Sequence, residues 1–434
     1  MNTWNRLYAS KITTAAAAIQ AIPNGAQIFL SGNCSIPTHL LAALVQRARS
    51  DDLRDITIHQ VLTIGDADYV SPDMVGKIRV NAMFIGPNVR AAVHAGRADF
   101  TPVFLSEIPL LFKRGIIPLD VAFVHLSPPD EHGFCSYGVE VGLTKPAAES
   151  ARIIIAEVNE RMPRTLGDSF LHVSKITHMV PVDYPLLEMP QGDSGDLARA
   201  IGAHIAEMIP HGATLQLGIG AIPDGVLYYL QDKRDLGVHT ELFSDGVMAL
   251  VDRGVVTNER KTLHPGKIVA GMILGTQRLY DWVHNNAMVE LHPQDYVNDP
   301  FIIAQNATMI SINSALEVDL TGQVCADSIG HRFYSGVGGQ VDFVRGAARS
   351  QGGKPIIALP ATAKEGSLSR IVPELKPGAG VITTRNDVHY VVTEFGVADL
   401  YGKSIRQRVE ALIGIAHPDF RADLRRRASE LNYI

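Results

Sequence analysis

Cysteine is scarce in this 434-residue chain, which has 3, at Cys34, Cys135 and Cys325. They lie far apart and form no C-x-x-C pair, so the sequence excludes a disulfide framework and the usual cysteine-based metal sites. Such sparse use of cysteine is typical of proteins in a reducing compartment, and we predict a cytoplasmic location.

Long apolar runs are also missing, since no uninterrupted stretch reaches the roughly 18 residues that a membrane-spanning helix needs. The run Ala15–Ala18 lies among threonines and a glutamine, which predicts an amphipathic helix rather than a signal peptide. The net charge of −6 argues against a nucleic-acid surface. We interpret the one dense basic segment, Arg421–Arg427, as the solvated face of a last helix.

Several nucleotide and catalytic motifs are absent as well. Gly402-Lys403-Ser404 is not a P-loop, because Val397 stands where that motif requires a glycine. His132 and Cys135 lie in a Pro- and Asp-rich stretch that is typical of a turn rather than of a catalytic pair. The composition, 46% hydrophobic and 19% charged, is that of a globular protein and excludes a disordered or fibrous one.

What the chain does contain is an internal similarity. Gly25–Leu44 and Gly212–Leu230 both begin with Gly-Ala, continue through a short apolar strand and a small loop, and reach Ile-Pro and a helical pattern. Other pairs of short motifs recur at nearly the same spacing. We therefore predict a duplicated fold.

Short β-branched runs alternate with longer helical patterns in each copy, which favours parallel sheets flanked by helices. The sequence thus predicts an α/β protein with two structurally related open α/β domains, residues 1–190 and 191–434, and an active site in the cleft between them. The predicted strands are 26–30, 121–125, 152–156, 214–217, 308–312 and 355–359, and the predicted helices include 38–48 and 224–231.

Two glycine-rich loops in the second copy are candidates for ligand contact. In Gly218–Ile222 the glycines permit close approach of the backbone, and Pro223 fits the first turn of a helix whose free N–H groups can bind an anion. Ser335–Gln340 is richer still in glycine. Each loop is also compatible with a turn that binds nothing. For Ser335–Gln340, that turn would have several positive-φ positions.

Glu241 is the carboxylate that stands out. We expect it where a short strand enters a glycine turn, at the sheet edge that it would share with Gly218–Ile222. The corresponding stretch of the first copy, Ile56–Gln60, has no acid. A functional carboxylate and a structural one that pairs with a cation both remain open on this pattern.

Long motifs in both halves carry a resemblance to a known family: Gly96–Phe112, Val124–Gly138, Val158–Ser174, Gly218–Leu227, His239–Val251, His292–Asn306, Ser335–Phe343 and Arg385–Arg421. On these motifs the chain resembles the acetyl-CoA hydrolase/transferase family, and within it the 4-hydroxybutyrate and butyryl CoA-transferases of the glutamate-dependent class I. The resemblance covers nearly the whole chain.

The resemblance implies roles for individual residues. Glu241 matches the active-site glutamate, and Asn298 the asparagine beside it. The oxyanion-hole amides fall on Ile222 and Gly339. The coenzyme A contacts fall on Gly218, Ile219, Gly220, Ala221, Ile222, Leu316, Ser335, Gly339 and Lys364. No metal and no cofactor other than coenzyme A as substrate is implied, and such enzymes are usually homodimers or larger homo-oligomers.

The implied function is transfer of coenzyme A between an acyl-CoA and a small carboxylate such as acetate, butyrate or 4-hydroxybutyrate, through a glutamyl-CoA thioester. The family commonly has Glu-Pro after its first glycine loop, whereas this chain has Ser35-Ile36-Pro37, so dicarboxylates such as succinate or itaconate are also plausible substrates. Acyl-CoA hydrolysis by the same glutamate is the alternative. A binding module without catalysis is disfavoured by Glu241.

Overall fold

The computed structural model describes residues 9–50, 52–190, 192 and 194–434. The chain divides into two compact units, Met1–Pro190 with Val269–Val297, and Gln191–Ile268 with Asn298–Ile434. The division at residue 190 coincides with the predicted boundary. The segment Val269–Val297 belongs to the first unit, so a single boundary along the chain does not separate the two units.

The sheet of the first unit has seven strands. It is parallel throughout, and one of its inner strands, Val121–Leu126, is apolar except for His125 and buried along its whole length. Strands buried on both faces are typical of parallel sheets covered by helices. From one edge to the other the strands are His178–Val182, Ile153–Asn159, Val121–Leu126, Gln27–Leu30, Ile56–Gln60, Ile78–Ala82 and Asp99–Phe100.

Helices and smaller strands complete the first unit. Its α-helices are Ala15–Ile19, Thr38–Arg49, Pro87–His94, Ile108–Lys113, Thr144–Ser150, Gln277–Val283 and Gln294–Val297. Its 3-10 helices are Ala9–Lys11, Asp68–Val70, Pro72–Met74, Leu105–Glu107 and Val173–Lys175. Its further strands are Phe134–Ser136, which pairs with Phe170–His172, Leu166–Gly167, which pairs with Val289–Leu291, and Ile268–Ile273.

The sheet of the second unit is built in the same manner. Its strands run in the order Gly396–Asp399, Tyr390–Thr393, Lys354–Ala358, Met309–Ser314, Thr214–Leu217 and Gly237–Phe243. All neighbours are parallel except the first two, which form an antiparallel pair at the edge.

The other elements of the second unit flank that sheet or follow its strands. The α-helices are Gly195–Met208, Ala221–Tyr228, Asp245–Asp252, Pro300–Ile303, Gln340–Arg349, Ile405–Ile415 and Pro418–Glu430. The short strands are Glu317–Asp319, Val324–Cys325, Ser328–Ile329, Arg332–Phe333, Thr362–Ala363, Leu368–Ser369 and Ile371–Val372. Among the described residues, no helix is both long enough and apolar enough to cross a membrane.

Most predicted elements are present with shifted ends. The strand at 214–217 has the predicted bounds, whereas the helix expected at 224–231 begins at Ala221. The Asp130 side chain accepts hydrogen bonds from the N–H groups of His132 and Phe134, which confirms the predicted turn there. The basic segment lies on the last helix, as predicted, with Arg425 and Arg426 exposed and Arg421 and Arg427 partly buried.

The strand orders of the two units correspond. Gln27–Leu30 lies between Ile56–Gln60 and Val121–Leu126, as Thr214–Leu217 lies between Gly237–Phe243 and Met309–Ser314. In each unit, therefore, the strand that comes next in this comparison pairs on one side of the first strand, and a later strand pairs on its other side. A duplicated fold predicts this order, and duplication stays our interpretation of it.

Candidate active site

The sheet of the second unit reverses its direction of winding at one strand. Thr214–Leu217 is followed along the chain by Gly237–Phe243 on one side and later by Met309–Ser314 on the other. In open α/β sheets, ligands bind at the carboxyl ends of the strands around such a switch point. The loops after these strands are therefore the candidate site.

Glu241 lies at this edge of the sheet, but the secondary structure around it differs from the one expected. It is within the strand Gly237–Phe243 rather than at its end, and the following Gly246 belongs to a helix, not to a glycine turn. Leu215 pairs in parallel with Val238. The Thr240 hydroxyl donates to the Leu217 carbonyl at 3.1 Å, so the residue before Glu241 contacts the residue before Gly218.

Two residues distant in sequence meet the Glu241 carboxylate. Nδ2 of the fully buried Asn298 donates to Oε2 of Glu241 at 3.3 Å. At Gly339, a Cβ would lie 2.1 Å from Oε2 of Glu241 and 2.2 Å from Nδ2 of Asn298. The structure thus brings together three of the residues predicted for the site, and a side chain at 339 would displace the Glu241 carboxylate or the Asn298 amide.

The environment shifts the acidity of this carboxyl group. Burial raises the pKa of Glu241 from its ordinary value to about 7, because it disfavours the charged form. The hydrogen bond from Asn298 and the main-chain amide of Gly339 oppose that rise. Near neutral pH the group therefore exists as a substantial fraction of carboxylate and of acid.

The loop from Gly218 leads directly into a helix. Gly220 has φ 109°, a conformation open to glycine, and caps the helix Ala221–Tyr228. Ala221 and Ile222 lie in the first turn of that helix instead of in a loop, so their N–H groups are among those that a helix start leaves free. Ile219 is 40% exposed, and a Cβ on Gly218 would meet nothing within 4 Å.

The loop Ser335–Gln340 ends as the start of the helix Gln340–Arg349. Of its three glycines only Gly338 has positive φ, so the several positive-φ positions considered for this loop are wrong. Gly339 caps the helix, and its amide is therefore at the positive end of the helix dipole. The Ser335 amide donates to the Asp327 carbonyl at 3.0 Å, which anchors the start of the loop.

The remaining predicted contacts follow neighbouring strands. Leu316 comes after Met309–Ser314, is partly buried and donates its N–H to the Cys325 carbonyl at 2.9 Å. Lys364 comes after Lys354–Ala358, is exposed, and begins a turn that its carbonyl closes with the amide and hydroxyl of Ser367. Both lie in segments that follow carboxyl ends of adjacent strands, the edge shared with Gly218.

A carboxylate in the first unit was missed by the sequence reasoning. Asn33, with φ 53°, follows the strand Gln27–Leu30, and its Nδ2 donates to Oε2 of the buried Glu140. Ser35-Ile36-Pro37 lacks an acid, but Glu140, which is distant in sequence, contacts the same loop through Asn33. The only sequence signal was a glutamate between two valines, at 139 and 141.

Curated relatives at 44–52% identity are named CoA-transferases. The chain is 52% identical to the 4-hydroxybutyrate coenzyme A transferase of Clostridium kluyveri, over 97% of this chain and 98% of that protein. It is 48% identical to the succinyl-CoA:acetate/propanoyl-CoA:succinate CoA transferase of Fasciola hepatica, over 94% and 85%. More distant is the acetyl-CoA hydrolase of Neurospora crassa, 26% identical over 91% and 84%.

Solved structures have the same fold. RipA from Yersinia pestis superposes with a TM-score of 0.94 at 37% identity, covering 99% of each chain. The 4-hydroxybutyrate CoA-transferase from Porphyromonas gingivalis gives 0.85 at 42%, covering 99% of this chain and 100% of that one. Family models for the acetyl-CoA hydrolase/transferase N-terminal and C-terminal domains match residues 2–188 and 275–428. By these matches, the chain belongs to the acetyl-CoA hydrolase/transferase family.

Proposed function

We propose that this protein is a CoA-transferase that moves coenzyme A from an acyl-CoA to a small carboxylate through a covalent thioester on Glu241. The observation that carries the proposal is the convergence of the Glu241 carboxylate, the Asn298 amide and the close approach of Gly339 at the switch point of the second sheet. Relatives at 44–52% identity that are named CoA-transferases support the enzyme class.

The reaction begins with attack of the Glu241 carboxylate on the thioester carbonyl. The carbon–sulfur bond breaks, coenzyme A leaves as thiolate, and an acyl-glutamyl anhydride forms. The thiolate then attacks the glutamyl carbonyl, which releases the donor carboxylate and leaves coenzyme A bound as a thioester to Glu241. The acceptor carboxylate reverses the two steps, so the energy of the thioester is conserved.

Each attack creates a negatively charged oxygen that needs hydrogen-bond donors. We assign the amides of Gly339 and Ile222 to this role, because both belong to the starts of helices, where N–H groups lack partners within the helix. Asn298 holds Oε2 of Glu241 and thereby orients the carboxylate. Every step is an exchange between carboxylate and thioester, and none calls for a metal or a redox group.

The substrates are part of the proposal. Relatives act, by their names, on 4-hydroxybutyrate, succinate and cyclohexane-1-carboxylate, which supports a small mono- or dicarboxylate as the acceptor. We further propose a homodimer or larger homo-oligomer in the cytoplasm. The three cysteines are unpaired by disulfides, and this supports a reducing compartment.

The covalent intermediate gives the direct test. Incubation with acyl-CoA and no acceptor should leave coenzyme A attached to Glu241, and borohydride or hydroxylamine should trap the thioester at a site that peptide mass spectrometry locates. Glu241→Ala should lose the adduct and transfer while its melting temperature shows a folded protein. An adduct on another residue, or transfer by the alanine variant, would contradict the mechanism.

A matched variant separates position from charge. Glu241→Asp keeps the carboxylate but withdraws it by one methylene group. Since misplacement by about 1 Å can lower a rate on the order of 100-fold, this variant should also be strongly impaired. A carboxylate with only a structural role predicts near-normal transfer in Glu241→Asp.

A further inference from the structure

An arginine outside the assigned site has unused hydrogen-bonding capacity. Arg370 is partly buried and directly follows the hairpin of Thr362–Ala363 and Leu368–Ser369, in the segment after the strand Lys354–Ala358. Its main chain is held on two sides, since its N–H donates to Ala361 and its carbonyl accepts from Val318, each at 2.9 Å. The main chain at Arg370 is therefore fixed by the fold.

The guanidinium lies among the predicted coenzyme A contacts. Its Nη1 donates to the carbonyl of Ala315 at 3.3 Å, one residue before Leu316. The charged or titratable groups that act on it are Tyr334, one residue before Ser335, and Glu394. Arg370 thus sits next to two of the three segments that follow the sheet edge, and it shares the hairpin with the third, which carries Lys364 at its turn.

Its donors are far from satisfied. Among the described residues, the buried Nε has no hydrogen-bond partner, and Nη1 makes the one hydrogen bond recorded for the five N–H groups of the guanidinium. Burial lowers the pKa of Arg370 below its usual range, which shows that the surroundings do not fully compensate the charge. One oxygen of Glu394 is already used, because Oε2 accepts from the Ala361 amide at 2.8 Å.

The hairpin beside Arg370 is held in a conformation that side chains seldom adopt. Lys364 and Glu365 both have left-handed backbones, with φ of 49° and 55°. Such conformations in two successive residues other than glycine cost free energy, and strained backbones cluster at functional sites. The turn thereby presents the exposed ammonium of Lys364 on the hairpin whose base is Arg370.

We infer that Arg370 binds a phosphate group at the nucleotide end of coenzyme A. A phosphate offers several charged oxygens, two of which a planar guanidinium fork can contact at once, so it would satisfy the donors that the protein leaves free. The inference rests on the proposed function, since it requires that the protein bind acyl-CoA. It adds a residue that the resemblance does not include.

Truncated substrates test this assignment. We compare kcat/KM of wild type and Arg370→Gln with acetyl-CoA, acetyl-3′-dephospho-CoA and S-acetylpantetheine, with butyrate as the acceptor. Loss of a charge-assisted hydrogen bond should lower kcat/KM for acetyl-CoA about 10- to 100-fold, mainly through KM. With S-acetylpantetheine, which has no nucleotide, wild type and variant should be equal.

The dephospho substrate shows which phosphate is bound. If the variant's defect disappears with acetyl-3′-dephospho-CoA, Arg370 contacts the 3′-phosphate; if it persists there, Arg370 contacts the diphosphate. Both results support the inference. A structural role for Arg370, in which it only ties down Ala315, predicts an equal loss with all three substrates and would overturn it, as would an unchanged KM for acetyl-CoA.

Two further variants and one binding measurement complete the design. Arg406→Gln removes an exposed arginine of the helix Ile405–Ile415 and should leave all three substrates unaffected. If Arg370→Gln does not fold, Arg370→Lys keeps the charge without the fork and should show a smaller loss, again confined to substrates with phosphates. Calorimetry with coenzyme A tests the underlying function, because a wild type that binds none would contradict that function and the inference together.

Discussion

At Glu241, burial and hydrogen bonding act in opposite directions on one carboxyl group. Burial favours the neutral acid, whereas Asn298 and the Gly339 amide favour the carboxylate that the mechanism needs. The result, a pKa of about 7, keeps the proposed nucleophile basic without leaving it fully protonated at neutral pH. A surface glutamate would be ionised at neutral pH but less reactive, because its basicity would be lower.

This balance predicts a pH dependence. Because the pKa is raised and the reactive form is the carboxylate, kcat/KM for acyl-CoA should level off above pH 7 and fall as the pH drops through about 7. Asn298→Ala removes a group that stabilises the charge, so its profile should shift to higher pH. The measurement is kcat/KM from about pH 5 to 9 in both proteins, with the exposed Glu259→Gln as a control that should follow wild type.

A profile that stays flat through neutral pH, or an Asn298→Ala profile that moves to lower pH, would contradict this account of Glu241.

The sequence pointed to Glu241 because only one of the two similar halves has an acid there. Nothing local pointed to its partner: Asn298 lies 57 residues further along the chain, and from residues alone its Asn-Asp-Pro context is that of an ordinary turn. The resemblance, not the pattern, supplied that residue.

At the scale of elements, two helix starts define the site. The helix Gln340–Arg349 begins with Gly339, where the absence of a side chain lets the main chain approach Glu241 and Asn298. The helix Ala221–Tyr228 begins one residue after Gly220, whose positive φ turns the chain out of the preceding strand. Sequence patterns predicted the strands well, because β-branched runs are local signals. They placed this helix too late, since the backbone angle of Gly220 cannot be read from its neighbours.

The close approach at Gly339 can be tested by adding one methyl group. Gly339→Ala should lower transfer about 100-fold or more, because the new Cβ would displace Oε2 of Glu241 by an ångström or so. Gly414→Ala, in the helix Ile405–Ile415 where a Cβ would meet nothing within 4 Å, should retain full activity. Transfer rates and melting temperatures of both variants provide the measurement.

Equal activity of Gly339→Ala and wild type would show that the spacing around Glu241 is not essential.

Gly218→Ala tests the other loop. The protein itself leaves room for a Cβ at this position, so the variant should keep its stability. A raised KM for acyl-CoA would then support contact between that loop and coenzyme A. A loop that binds nothing predicts an unchanged KM.

At the scale of the whole molecule, similar strand orders in the two units were predictable, but the course of the chain was not. The β-branched runs and helical patterns predicted the alternation of strands and helices, and a polar Pro-, Gly- and Asp-containing stretch predicted a boundary at residue 190. They did not reveal that Val269–Val297 groups with the first unit, because that grouping depends on contacts between distant segments, which no local periodicity encodes. Glu140, buried beside Asn33, escaped prediction for the same reason.

In the proposed mechanism, transfer and hydrolysis would share the glutamyl thioester and differ in the group that attacks it, a carboxylate or water. Exclusion of water is a property of the whole site rather than of one residue. Relatives at 44–52% identity are named transferases, whereas a hydrolase of this family is 26% identical, so we expect transfer to dominate.

Thioester loss from acetyl-CoA should be at least about 10-fold faster with butyrate, succinate or 4-hydroxybutyrate than in buffer, a difference that corresponds to about 1.4 kcal/mol in the barrier. Glu241→Ala should abolish both rates. Equal loss with and without every acceptor would identify a hydrolase, because water would then reach the thioester as readily as a bound carboxylate does.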